Sequence, residues 1–143
     1  MITTDAAAVA AFVAEAAADE IPGAARGFGA CSAIGFLDEA GQIEAGFVYH
    51  NWHPESGVIE ISAASRHRGW ATKEKLRLVM GYPLSFCRLV VWRTGEGNRR
   101  VRRLLCALGA RETLIPELRG PGEAEVVFTL TADDWRASRF MTR

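Results

Sequence analysis

"LVVWRTGEGNRRVRRLLCALGARE", residues 89–112, decides how the rest of the chain is organised. With Cys87 and Arg88 before it, the stretch opens as "CRLVVWRT", a near-continuous apolar strand of the kind buried on both faces. "GEG" breaks the run and Asn98 is placed to cap a helix. Val101, Leu104, Leu105 and Leu108 then recur at the helical period until Gly109 closes the helix, and a strand resumes at Arg111.

Upstream, "GVIEISAAS", residues 57–65, alternates: Val58, Glu60 and Ser62 point one way, Ile59, Ile61 and Ala63 the other. From Ala71 the period changes, and Leu76, Val79 and Met80 mark an amphipathic helix that runs to "GYP". Nearer the start, strands over about 31–37 and 42–51 flank a turn at "DEAGQ". Thr4 or Asp5 caps a first helix over roughly 5–19, with Val9, Phe12, Val13 and Ala16 on one face. Beyond the opening stretch, strands at about 111–117 and 124–130 flank the hairpin signal "RGPGE", and a last helix begins at Thr131. The order α-β-β-β-α-β-α-β-β-α predicts a single α+β, mixed α/β domain, its strands first antiparallel and then joined through helices that cover both faces of the sheet.

A chain of 143 residues is the size of one domain and buries enough surface to need no staple. Lys plus Arg and Asp plus Glu number 17 each, so no overall field draws the chain to nucleic acid or an anionic membrane, and any polyanion has to be met locally. Cys31, Cys87 and Cys106 are odd in number and set in apolar runs, which predicts reduced, buried thiols in a cytoplasmic protein. The Ala-rich N-terminus has Asp5 and Glu15 flanking a short apolar run and no basic segment before it, so neither a signal peptide nor a membrane partner is expected.

Three pieces between Gly57 and Glu112 resemble the core of the GCN5-related N-acetyltransferase superfamily: the strand "VIEISAAS", the turn "RHRGWA" opening a helix, and the stretch quoted first, with Asn98 and the spacing to Leu108-Gly109. The "YHNW" strand and the closing "AEVVFTLTADDW" are similar to small members of that superfamily carried by tailed phages and prophages. The resemblance implies a single acyltransferase domain, acetyl-CoA or another acyl-CoA as donor, no metal, and direct transfer to an amine acceptor that is a small molecule, a protein or a nucleic acid.

The turn lies in "AASRHRGWATKEKL", residues 63–76. A glycine-containing turn entering a helix points backbone N–H groups outward, and the helix dipole adds about half a positive charge, so a pyrophosphate is held by backbone alone. The family pattern fits in two registers. Arg66-x-x-Gly69-x-Ala71 satisfies it, and so does Arg68-Gly69 with Leu76 as the first helical leucine, although Ala71 and Lys73 then stand where glycines are usual. Both registers share the backbone of Arg68, Gly69, Trp70, Ala71, Thr72 and Lys73, which is assigned to the pyrophosphate. Trp70 either stacks on the donor's adenine or packs on the sheet. The resemblance places pantetheine against Ile61, Ser62 and Ala63, and gives Asn98 to the same cofactor or to capping.

Amine acylation needs a base, a donor to the thioester oxyanion and a proton for the leaving thiolate. Glu60 leads as base, on the strand facing the donor in an otherwise apolar run; the alternative is a structural glutamate paired with an Arg. In "VYHNWHP", Tyr49, Asn51 and His53 share a face while the strand stays regular, with His50 and Trp52 opposite. His50 and His53 are candidates for base or proton relay, and His67 belongs beside the phosphates or in solvent. The family's general-acid tyrosine falls at Leu105, so Tyr49 or water supplies that proton. Arg99, Arg100, Arg102 and Arg103 are an exposed helix face, or one of them, Arg102 foremost, reaches the 3′-phosphate of coenzyme A. Two other functions stay open: a non-catalytic module that keeps the fold with Trp70 blocking the donor pocket, and a phage-type enzyme that modifies a nucleic-acid base. Edge strands at 31–37 or 124–130 offer pairing to a second copy, giving a homodimer.

Overall fold

Asp5 caps the first helix, its carboxylate accepting from the Ala8 amide at 3.1 Å, and α1 runs Ala6–Ala16. A computed structural model gives the fold; it describes residues 1–141, apart from the side chain of Arg68. After α1 come a 3-10 turn at Ala24–Arg26, then β2 (Cys31–Leu37), β3 (Ile43–His53) and β4 (Val58–Ser65). A 3-10 turn at Arg68–Trp70 leads into α2 (Lys73–Leu84), followed by β5 (Leu89–Gly95), α3 (Arg99–Ala107), β6 (Arg111–Gly120), β7 (Glu123–Thr131) and α4 (Ala132–Ala137). A two-residue strand that periodicity does not reveal, β1 (Ile2–Thr3), precedes α1.

The seven strands form one sheet in the order β1-β2-β3-β4-β5-β7-β6. β4 and β5 are parallel, as the intervening helix requires, and every other pair is antiparallel. One face carries α2, α3 and α4 over Phe36, Phe47, Tyr49, Ile59, Ile61, Val90, Trp92, Phe128 and Leu130. The other receives α1, whose Val9, Phe12 and Val13 meet Ala33 and Val48. α1 lies close because Gly35 and Gly46 pair beneath it; a Cβ on Gly46 would come within 3.0 Å of Val9 and 3.1 Å of Phe12.

The first helix ends three residues short of expectation, and Ala17 is buried where Ala16 was expected. The expected sheet edge at 124–130 is also corrected. β7 lies inside the sheet, so the edge on that side is β6, where Glu117 (φ 66°) falls at the register break between Ile115 and Gly120. On the other side β1 pairs only with Gly35 and Phe36 and leaves residues 31–34 of β2 without a strand beyond them among the described residues. Cys87 is buried, but Cys106 is exposed, its Sγ 3.7 Å from Glu112. Burial pushes the Cys87 thiol up to about 11, and burial together with the Glu112 carboxylate raises that of Cys106, so both are uncharged near neutrality.

α2 continues through "GYP" to Leu84 with Pro83 inside it. Proline has no N–H, so the carbonyl four residues before it, that of Val79, loses its helical partner. The Tyr49 hydroxyl donates to that carbonyl at 2.7 Å. Tyr49→Phe is therefore expected to cost about 1–3 kcal/mol in chemical denaturation, because a buried acceptor is left unsatisfied.

Candidate functional site

β4 and β5 hold together only over Val58↔Leu89 to Ile61↔Trp92, and beyond that rung they part. The Arg66 amide donates to the Glu44 carbonyl at 2.9 Å. Alternation along the β3–β4 ladder then turns even-numbered residues of β4 toward β3 and odd-numbered ones toward β5. The main-chain groups of Ala63 and Ser65 thus look across the gap. A cleft of about 530 Å³ passes through it, lined by Ser62, Ala63, Ala64 and Ser65 on one side and by Trp92, Arg93 and Thr94 on the other.

On the α2–α3 face the cleft is walled by Phe47, Trp70, Ala71, Asn98, Arg100, Val101 and Leu104. Asn98 caps α3, its Oδ1 accepting from the Val101 amide at 3.4 Å while its Nδ2 donates to Thr94 Oγ1 at 3.1 Å. One amide side chain thereby ties the start of α3 to the end of β5, at the point where the strands part. Val101 and Leu104, expected inside the core, are only half-buried because they face this cleft.

The basic turn spends its side chains elsewhere. His67 Nε2 lies 2.9 Å from Glu44 Oε2, and Lys75 Nζ is 3.6 Å from Glu44 Oε1. The Arg66 guanidinium sits 5.3 Å over the Phe12 ring, on the α1 side. Thr72 caps α2 by accepting from the Lys75 amide at 3.2 Å. Among the described residues of the turn, Trp70 and Ala71 line the cleft and Gly69, Thr72 and Lys73 do not. The side chain of Arg68 falls outside the described residues. Trp70 is buried between Phe36 (6.4 Å between ring centroids) and Phe47 (4.9 Å), so it packs on the sheet, and it also forms part of the cleft wall.

Glu60 and Ser62 line the cleft on the α1 face. The regular strand expected at "YHNW" does not hold. Asn51 adopts φ 51° at a bulge between His50 and His53, a left-handed conformation that asparagine tolerates. The bulge turns Asn51 onto its neighbour, and Nδ2 donates to Glu60 Oε1 at 3.0 Å. His50, paired with Glu60 across the ladder, lies with Nε2 2.8 Å from Ser62 Oγ and 3.8 Å from Glu60 Oε2, under the Phe28 ring at 5.0 Å. Glu60, His50, Ser62 and Asn51 are thus one cluster at the mouth of the gap.

Three other candidates are not brought there. Tyr49 is on the opposite face under α2, and burial raises its phenol well above the ordinary value, consistent with a hydroxyl that only donates. His53 is exposed at the strand end, its carbonyl accepting from Ser56 and Gly57. Arg102 is held by Glu112 and by the Glu96 carbonyl at 2.6 Å, so the arginine of this helix that reaches the cleft is Arg100. The core side chain of Ile61 leaves only its backbone near the last rung.

Burial lowers the pKa of His50, against the opposing pull of the Glu60 carboxylate. The unfolded chain, with an ordinary imidazole near 6.5, then binds the proton at higher pH than the folded chain does. Stability from this group is full above about pH 6.5 and is lost as pH falls through the folded value. Melting temperature measured from pH 7.5 to 5 is expected to fall more steeply for the wild type than for His50→Gln.

A mixed sheet split between its two parallel strands, with a capped helix start on each side of the split, defines the N-acetyltransferase type of architecture, and the chain has the fold of the GCN5-related N-acetyltransferases. A GCN5-related N-acetyltransferase from Brucella melitensis superposes with a TM-score of 0.62 at 21% identity, over 76% of this chain and 53% of its own. A ribosomal-protein-S5-alanine acetyltransferase from Vibrio fischeri gives 0.61 at 13% identity, over 73% and 63%. A spermidine N-acetyltransferase from Vibrio cholerae gives 0.64 at 9% identity, over 75% and 69%. The chain thus spans less than two thirds of the length of the first two. No protein-family model and no curated protein matches the sequence. No helix among the described residues is long and apolar enough to cross a membrane, and none of their His, Cys, Asp and Glu side chains form a group of three or more placed to hold a metal ion.

Proposed function

We propose that the protein is an acyl-CoA-dependent N-acyltransferase, with acetyl-CoA as the donor to test first. The observation that carries this reading is the cleft through the β4–β5 gap, which joins the helix-capped face to Glu60 on the other. A donor lying along it would meet Val101 and Leu104 with its pantetheine arm and the backbone of Ala63 and Ser65 with its amides, and its pyrophosphate would rest on the turn from Arg68 to Lys73. The thioester carbon supplies the electrophile.

The chain's own residues then have distinct tasks. Glu60, steadied by Asn51, takes a proton from the acceptor's ammonium. The freed nitrogen lone pair attacks the thioester carbon to form the C–N bond, the nitrogen gives up its second proton to water, and collapse of the oxyanion then breaks the C–S bond. Main-chain N–H groups at the split hold the oxyanion that develops between those events. With Tyr49 on the far side of the sheet, the leaving thiolate takes its proton from water. His50 and Ser62 fix the wall beside Glu60.

Isothermal titration is expected to show acetyl-CoA binding with one site per chain. No detectable heat at millimolar donor would overturn the reading.

A further inference from the structure

Past the last β4–β5 rung, the sheet face on the α1 side carries charge. Glu60 aligns with Val91, and Gly95 with Glu125, so alternation puts Glu60 and Ser62 of β4, Arg93 of β5 and Glu125 of β7 on one face. Arg119, from within the register break of β6, joins them at the cleft. Glu125 is 3% exposed; Oε1 accepts from Arg93 Nε at 2.9 Å and Oε2 from Arg119 Nη1 at 2.5 Å. Arg119 also donates to the Glu20 carbonyl after α1, so Arg119 is engaged at both ends of its fork.

Arg93 is not used up in this way. Its side chain is 44% exposed, only Nε is engaged, and its two terminal amino groups make no hydrogen bond among the described residues. Two guanidiniums face one buried carboxylate, which leaves an excess of positive charge at this end of the cleft. Glu60 supplies the negative charge at the other, while the carboxylate of Glu20 is exposed at the rim. One strand spacing across and two residues along would place the Cα atoms of Glu60 and Arg93 about 8 Å apart in a regular sheet, and the parting of the strands widens that span. A guanidinium anchored through Nε with its outer edge open matches a carboxylate bidentately.

Resting on the acyltransferase reading, we propose that the acceptor is an amino acid, its ammonium at Glu60 and its carboxylate on the open edge of Arg93, with Glu125 as the positioning residue that holds Arg93 in place. A polyamine would bring a second cation against Arg93, and a protein N-terminus carries no carboxylate at this distance.

The test measures thiol release from acetyl-CoA with each of the twenty proteinogenic amino acids, their C-terminal amides, and spermidine. At least one amino acid is expected to exceed its amide by roughly 10- to 100-fold in kcat/KM, mostly through KM, the range of a hydrogen bond to a charged group. Arg93→Gln should erase that preference, so that an amino acid and its amide serve alike, and Arg93→Lys, which keeps the charge without the fork, should restore it only in part. The proposal is overturned if amides or spermidine serve as well as amino acids, if the preference survives Arg93→Gln, or if the donor binds and no amino acid is acylated. Absence of acetyl-CoA binding would instead overturn the acyltransferase reading on which it rests.

Discussion

Glu60→Gln is expected to lower kcat/KM for acyl transfer by roughly 10²- to 10⁴-fold, the range of a positioned general base, while donor affinity stays within about twofold. The substitution keeps the side chain's shape and its contact with Asn51, and it removes the carboxylate's charge and with it the proton acceptor. Thiol release read beside donor titration separates the two effects. Unchanged turnover would take Glu60 out of the mechanism and leave it a wall residue beside His50.

Glu125→Leu is expected to cost about 3–5 kcal/mol of stability, because removing one partner of a buried pair strands the other. Arg119 is the stranded group. Its side chain is 14% exposed against 44% for Arg93, which turns to water more easily. Replacing both members, as Arg119→Met with Glu125→Leu, is expected to recover much of the loss, since an apolar pair of similar volume needs no desolvated charge. A loss below about 1 kcal/mol for the single variant in urea denaturation would mean that the pair behaves as a surface ion pair.

Much of this fold is legible in the chain because local signals agree with the global arrangement. The apolar run at Leu89, the cap at Asn98 and the glycine after Leu108 all appear in the structure, as does the period change into α2. Signals that depend on a partner distant in sequence are not legible. Pro83 reads as a helix stop because its missing N–H is visible in the sequence and the Tyr49 hydroxyl that offsets it is not. Asn51 reads as one more strand residue, since a bulge depends on the register against β4.

The site divides in the same way. Glu60 and Asn98 stand out as polar residues in apolar or helix-opening contexts, and both line the cleft. Arg93, Arg119 and Glu125 escape notice because their meeting requires β6 to lie outside β7 and a register break to bring Arg119 round. The four arginines of α3 look alike in sequence. Glu112, ten residues after Arg102, is what removes Arg102 from the cleft and leaves Arg100 facing it.

The central claim is that the gap between β4 and β5 receives an acyl-CoA. A crystal structure grown with saturating coenzyme A tests it most directly. The account predicts pantetheine between residues 62–65 and 93–95, with the pyrophosphate within hydrogen-bond distance of backbone amides from Arg68 to Lys73. Coenzyme A bound elsewhere on the surface, or an empty gap at saturation, would contradict it.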